Sequence, residues 1–316
     1  MQELKTERLG MINKNKQDEL MKIVKYNNAR DIVVEFQDEY KDEVHTNWYA
    51  FRNGIVRNPH KYKTRLNSEN FNYQGCLMKV VEYKNCSNLI IEFQDNFKFK
   101  KKSTWANFIN GSIKNPYYPE ALGVGMIGAK YPTTIGKSKH NKEYSTWFSM
   151  LTRCFNERYK NIQQTYKEVT CCNEWLLYEN FYEWLHSQEN FDKWFDGERW
   201  AIDKDILIKG NKIYSPRTCC LVPLRVNTLF VKNDINRGEY PIGVSYYEWG
   251  NVYSSSFQDG NHRKTSYFKT KEEAFSNYKI EKEKLIKQIA QEEYDKNNIT
   301  KKCYEAMMNY EVEITD

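Results

Sequence analysis

Leu20 to Pro59 aligns without a gap on Leu77 to Pro116, and this internal repeat limits the N-terminal half more than any other feature. Leu20-Met21-Lys22-Ile23-Val24-Lys25-Tyr26 recurs as Leu77-Met78-Lys79-Val80-Val81-Glu82-Tyr83. Glu35-Phe36-Gln37-Asp38 recurs as Glu92-Phe93-Gln94-Asp95, Trp48 as Trp105, Phe51 as Phe108, Asn53-Gly54 as Asn110-Gly111, and Asn58-Pro59 as Asn115-Pro116. Agreement at one fixed offset marks a duplicated module. Each copy carries two β-rich runs, such as Met21–Tyr26 and Asp31–Phe36, joined by Asn27-Asn28 or Lys84-Asn85. An aromatic patch and an Asn-Pro stop close each copy. The pattern predicts two small β-rich repeats, 1–62 and 63–126.

The copies differ in charge. Lys98 to Lys102, with Lys100, Lys101 and Lys102 in a row, makes the second basic beside Trp105, a surface suited to phosphate contact and base stacking. The first has Lys41-Asp42-Glu43 there and is not basic. A folded spacer or protein-contact module remains the other reading. Tyr117 to Pro132, with Pro119, Gly123, Gly125 and Gly128, is expected to be a linker.

The length of 316 residues leaves room for two to four domains. A net charge of +6 permits an anionic partner without requiring one. The eight cysteines include two adjacent pairs, Cys171-Cys172 and Cys219-Cys220, and no Cys-x-x-Cys spacing. They are expected to be reduced core thiols, and structural zinc is not expected. The sequence shows neither a signal peptide nor a long apolar run, so a cytoplasmic protein without membrane contact is expected.

Tyr144 to Phe155 reads as an amphipathic helix with Trp147, Met150, Leu151 and Cys154 on its core face. Arg153 lies beside that face, available to a backbone phosphate or to an internal carboxylate. Asn173 to Leu185 reads as a second helix, with Trp175, Phe181 and Trp184 inside. A hairpin built on Ile202 and Tyr214 is expected around Lys209-Gly210-Asn211, followed by a helix after Pro223 that carries Asn227. Asp203 and Asp205, two apart on a strand, would share a face and could hold magnesium; an ordinary exposed turn, or an ion pair with Arg199 or Lys204, is the alternative.

Tyr144, Trp147, Met150, Arg153-Cys154, Cys172, Trp175, Phe181, Asp203-Lys204, Asn211, Tyr214-Ser215-Pro216, Cys219 and Asn227 follow one another in an order that resembles a family of HNH-like proteins common in bacteriophages. Paired β-rich modules like the two repeats also look familiar from such phage proteins. The resemblance implies a ββα-metal centre over 127–236. Asp203, Asp205 and Asn227 would then hold Mg2+, and His140, the family's opening histidine, would help activate water. Two positions depart from the family. Lys204 stands where the catalytic histidine would be, and Thr218 where an orienting asparagine would be. A lysine accepts a proton only where its surroundings depress its pKa.

Gly243-Val244, Tyr253, Ser255, Phe257, Phe268, Thr270, Glu272-Glu273-Ala274 and Tyr278 resemble the Apetala-two type DNA-binding domain, a three-stranded sheet with one helix. This assigns 237–316 to a DNA reader with C-terminal helices. Thr270 is expected to cap the helix, with Glu273 completing a capping box. Phe257 and Phe268 should face the helix; Tyr246, Trp249, Arg263 and Lys264 are the candidates for the DNA face.

The whole predicts a multidomain α+β chain: two β-rich repeats, an HNH-like centre and a three-stranded sheet plus helix. The expected function is that of a phage-encoded double-stranded DNA-binding protein. It is either a homing-type endonuclease with an altered centre or a binder whose centre serves as scaffold. The second expectation is an anti-CRISPR-like inhibitor that binds a host defence protein or ribonucleoprotein.

Overall fold

The computed structural model describes residues 7–60, 65–197, 199–231, 239–259 and 262–314. The fold is mixed α+β with several small sheets. The chain divides into two compact units, Met1–Tyr118 and Pro119–Asp316.

The first unit contains the two repeats. Each is a four-stranded antiparallel meander: β1 (Ile12–Lys14), β2 (Leu20–Asn28), β3 (Asp31–Phe36) and β4 (Glu43–Thr46), then β5 (Glu69–Phe71), β6 (Leu77–Asn85), β7 (Asn88–Phe93) and β8 (Lys100–Ser103). One short helix closes each, α1 (Trp48–Arg52) and α2 (Trp105–Ile109). The two central strands alternate in burial as their apolar pattern requires, with Met21, Ile23, Val34 and Phe36 inside the first and Met78, Val80, Ile91 and Phe93 inside the second. The repeat reaches further upstream than the sequence alignment. Arg8 stacks over Trp48 and donates to the Tyr26 hydroxyl, and Arg65 does the same with Trp105 and Tyr83. Asn13 and Asn70 each donate to the last carbonyls of their helix, at Phe51 and Arg52 and at Phe108 and Ile109. The outer strands are short and polar, without the alternation that reveals β2, β3, β6 and β7.

In the second unit, β9 (Thr134–Ile135) and β10 (Lys139–His140) make a small ribbon ahead of α3 (Lys142–Phe155) and α4 (Glu157–Ile162). Trp147, Met150, Leu151 and Cys154 of α3 are buried, as their helical spacing predicts. They pack on α5 (Tyr178–His186) and α6 (Phe191–Asp196), and Trp147 Nε1 donates to the Trp175 carbonyl at 2.7 Å. The expected second helix is in two parts, because Asn173–Leu176 is a 3-10 turn and α5 starts at Tyr178.

The expected linker is packed from Pro119 onward rather than loose. Ala121 is buried in the α3 core, and a Cβ on Gly125 would lie 2.6 Å from Leu151 Cδ1. Glu179 Oε1 accepts from the Ala129 and Lys130 amides at 2.7 Å each. Gly125 and Gly128 admit close approach rather than slack.

The expected hairpin forms from other partners. β12 (Trp200–Asp203) pairs antiparallel with β14 (Cys220–Pro223), Ile202 opposite Leu221 and Asp203 opposite Cys220. Tyr214 belongs to β13 (Ile213–Tyr214), which runs parallel to β11 (Thr170–Cys171). The turn at Gly210 exists, with φ +76°, yet the loop around it joins strands of different sheets. After β14 comes α7 (Leu224–Asn227), which places Asn227 on a helix as expected.

The C-terminal elements are β15 (Val244–Tyr247), β16 (Val252–Asp259), β17 (His262–Phe268), α8 (Lys271–Asp295) and α9 (Lys301–Met308). The Thr270–Glu273 capping box is formed. One core joins Ile206, Cys220, Val222 and Val226 of the ββα segment to Phe257, Tyr278, Leu285, Ile286 and Cys303. One core therefore includes residues from both sides of the domain border expected at 236, a position that itself lies outside the described residues. Arg225 of α7 ties the same elements by ion pairs to Glu292 and buried Glu293 of α8, at 2.6 and 3.2 Å.

Candidate functional site

A cleft of about 610 Å³ opens in the second unit, lined by α3, the end of β12, the loop after it, and α7. It gathers Asp203, Lys204, Asp205, Arg153 and Asn227, which the sequence resemblance singled out together. The β12–β14–α7 order sets Asp203 at a strand end and Asn227 on the following helix.

The carboxylates do not stand side by side on one strand. β12 ends at Asp203, and the chain turns so that Asp203 Oδ1 accepts from the amides of Asp205 and Ile206 at 2.6 and 2.7 Å. Burial pushes the Asp203 carboxyl above the usual carboxylate range, although the two amides favour the ionised form. Asp205 is bound elsewhere. Lys204 Nζ donates to Asp205 Oδ1 at 2.6 Å, to Oδ2 at 2.8 Å and to the Asn211 carbonyl at 3.2 Å. Of the readings open at Asp205, the turn and the Lys204 ion pair are both present. Thr218, in the place of the orienting asparagine, donates to the Ile213 carbonyl at 2.7 Å and so fixes the loop between β13 and β14.

This donor set does not fit the magnesium ion that the resemblance implies. Mg2+ takes oxygen ligands at about 2.0–2.1 Å in near-octahedral array, one or two of them carboxylates free to face the ion. Here one carboxylate is turned onto backbone amides and the other onto an ammonium. Among the described residues, no group of three or more His, Cys, Asp or Glu side chains could hold a metal. The lysine is no ready base either, since its three N–H donors point at three oxygens.

His140 is not drawn into the cleft. It lies on exposed β10, with its ring 4.7 Å from that of Tyr144 and Nδ1 3.3 Å from the Thr133 carbonyl. Among the described residues, Arg153 is paired with no carboxylate; Nη1 donates to the Tyr214 hydroxyl at 3.1 Å, and its guanidinium lies 5.6 Å from the Tyr166 ring centre.

The three-stranded sheet is the other candidate surface, and its register sorts the expected DNA contacts. Residues opposite one another on antiparallel strands share a face. Phe257 opposes Lys264, Val244 opposes Ser255, and Tyr246 opposes Tyr253, which opposes Phe268. This is the face that packs on α8, where Phe257 meets Tyr278 with ring centres 6.5 Å apart. Phe257 and Phe268 thus face the helix side as predicted, but Tyr246 and Lys264 share that side with them.

The opposite face carries Tyr247, Ser254, Ser256, Arg263 and Tyr267. Trp249, 77% exposed in the turn between β15 and β16, closes an aromatic group with them. Its ring centre is 6.4 Å from Tyr247 and 6.3 Å from Tyr267, which is 54% exposed. Arg263 Nη2 donates to Ser256 Oγ at 2.9 Å, which holds the guanidinium against the sheet. Sequence reasoning missed Tyr247 and Tyr267; the alternation of β15 and β17 relative to Phe257 was the signal that could have found them.

In the first unit, Lys100, Lys101 and Lys102 form β8, an edge strand. Lys100 pairs with Glu92 across the strands at 3.4 Å. Lys101 and Lys102 border a depression of about 360 Å³ with Ser87, Thr104 and Asn107. The same edge in the first repeat reads Glu43, Val44 and His45.

The chain matches no family model, no curated protein and no solved structure. No helix among the described residues is long and apolar enough to cross a membrane.

Proposed function

We propose that this chain is a DNA-binding protein of the phage HNH-like class and that it grips double-stranded DNA with the outer face of its C-terminal sheet. The observation that carries the reading is the open Tyr247–Trp249–Tyr267 group beside Arg263 on the face turned away from α8. Strands of a β-sheet can read the major groove, arginine pairs with guanine there, and an aromatic ring can contact a thymine methyl. The Apetala-two type resemblance supports the same face. The basic β8 edge is a second phosphate contact. The centre acts as scaffold rather than as a metal nuclease, because its carboxylates are already paired within the loop.

The test is a titration of duplex DNA at rising salt, with wild type and with Trp249→Ala and Arg263→Ala. Affinity should fall steeply with salt, and both variants should weaken it. Plasmid should stay uncut with or without magnesium; cleavage in magnesium that Asp203→Ala abolishes would restore the nuclease reading. One observation favours a second reading. A cluster of exposed Trp249 and Tyr267 with half-buried Tyr247 is also the composition of a protein-binding hot spot. A host protein captured after nuclease treatment, together with no DNA binding, would favour the defence-inhibitor function over DNA binding.

A further inference from the structure

We infer that the cleft is a metal-independent phosphate site, in which the Lys204 ammonium takes the position of a cation against Asp205 while Arg153 and Lys212 hold the phosphate.

The geometry of the loop carries the first part. Lys204 is 8% exposed, yet its ammonium is met by three oxygens, two from one carboxylate. A carboxylate that chelates an ammonium through both oxygens has the donor array it would otherwise offer to a divalent ion. The Asn211 side chain secures the arrangement by donating from Nδ2 to the carbonyls of Lys204 and Ile213 at 2.8 Å each. The loop is therefore closed on an internal cation, tied by covalent bonds to the chain it neutralises.

The charge balance of the cleft carries the second part. Lys204 cancels Asp205, and Asp203 accepts from two backbone amides. Lys142 donates to the Trp194, Phe195 and Gly197 carbonyls and Lys209 pairs with Glu313, which leaves Arg153 and Lys212 as the further cationic residues in the lining. Arg153 donates to the Tyr214 hydroxyl and is flanked by the Tyr166 ring, two other residues of the cleft wall, so its planar fork is oriented before a ligand arrives. A guanidinium has five N–H donors and matches phosphate geometry in a way an ammonium does not. Lys212 is exposed at the rim, and Ser149 and Asn227 add neutral polar groups to the wall. A cleft of about 610 Å³ accommodates a phosphate with an attached sugar or base, within the ordinary range of roughly 300–1,000 Å³ for small-ligand sites.

This inference stands apart from the sheet-face reading, and the probe is chosen to keep them separate. Inorganic pyrophosphate is too small to need the sheet. Added to the full chain in EDTA, it should raise the melting temperature of wild type. Arg153→Gln combined with Lys212→Gln should weaken pyrophosphate binding at least tenfold, Lys212→Gln alone should weaken it measurably, and Trp249→Ala should leave it unchanged. Mn2+ alone, followed by electron paramagnetic resonance, should not bind wild type at micromolar concentrations. Lys204→Met, which removes the internal cation, should gain Mn2+ binding. Pyrophosphate binding that requires a divalent ion, micromolar Mn2+ binding by wild type, or no effect of pyrophosphate in EDTA would each overturn the inference. The wild-type measurements decide it even where a variant fails to fold.

Discussion

Tyr247 and Tyr267 meet edge to face with ring centres 5.9 Å apart, on the side of the sheet that α8 leaves open. They belong to the two outer strands and reach over Ser254 of the middle one, which is buried beneath them. This makes an aromatic ridge on an otherwise small-residue surface, with Trp249 at one end and Arg263 further along β17.

Loss of that ridge should affect binding far more than folding. Trp249→Ala is expected to weaken duplex DNA binding about tenfold, which corresponds to about 1.4 kcal/mol. Its stability should stay within about 0.5 kcal/mol of wild type, because the ring is largely in solvent. Fluorescence anisotropy and a urea melt on the same preparation compare the two. An unchanged Kd would remove Trp249 from the interface.

Asp203 should leave a pH signature in stability. Its carboxyl titrates above the usual range in the folded chain because it is buried. As pH rises from below about 4, the unfolded chain loses this proton first. Folding is therefore penalised progressively until the folded-state pKa is passed, and the penalty is constant above it. Asp203→Asn keeps an oxygen for the Asp205 and Ile206 amides but carries no charge. Its melting temperature relative to wild type should thus move upward between pH 4 and pH 7. A difference that is flat or moves downward over that interval contradicts the assignment.

Gly54 and Gly111 should be equivalent sites of intolerance. Their φ values are +65° and +64°, and a Cβ would lie 2.8 Å from the Lys14 and Phe71 carbonyl oxygens respectively. The left-handed conformation alone costs an L-residue roughly 1–2 kcal/mol. Gly54→Ala and Gly111→Ala should each destabilise their repeat by about 2 kcal/mol or more once the contact is added. Denaturant melts showing less than about 0.5 kcal/mol for either would mean that the backbone relaxes there at little cost.

Thiol reactivity should begin at Cys86. A hydrogen bond with the Tyr83 hydroxyl, with Arg65 Nη1 2.8 Å away, holds its pKa below the ordinary thiol value, and it is exposed. Burial pushes Cys219 up to about 12 and keeps it from solvent. Thiolate is the reacting species, so iodoacetamide on the folded chain should label Cys86 before any other cysteine. Peptide mapping over a time course checks the order. Arg65→Ala should slow the Cys86 reaction; first labelling at a core cysteine would show that the Arg65–Tyr83–Cys86 contact does not govern reactivity.

Much of this fold is written locally. The duplicated apolar alternation of β2–β3 and β6–β7, the helical spacing of Trp147, Leu151 and Cys154, and the Thr270–Glu273 cap each act over a few residues, so the sequence alone determined them. The central charged cluster was legible as a set, since Asp203, Lys204, Asp205, Arg153 and Asn227 do line one cleft. What their side chains touch was decided by tertiary structure. β12 stops where its pairing with β14 stops, at Asp203 opposite Cys220, and that end point lets the chain turn and gives Asp205 to Lys204. The two sides of the C-terminal sheet were settled in the same way. Alternation tells which residues of a strand share a face, but tyrosine, serine and lysine suit a covered or an open face equally. Only the packing of Phe257 on Tyr278 fixed which side met the helix and which was left to solvent.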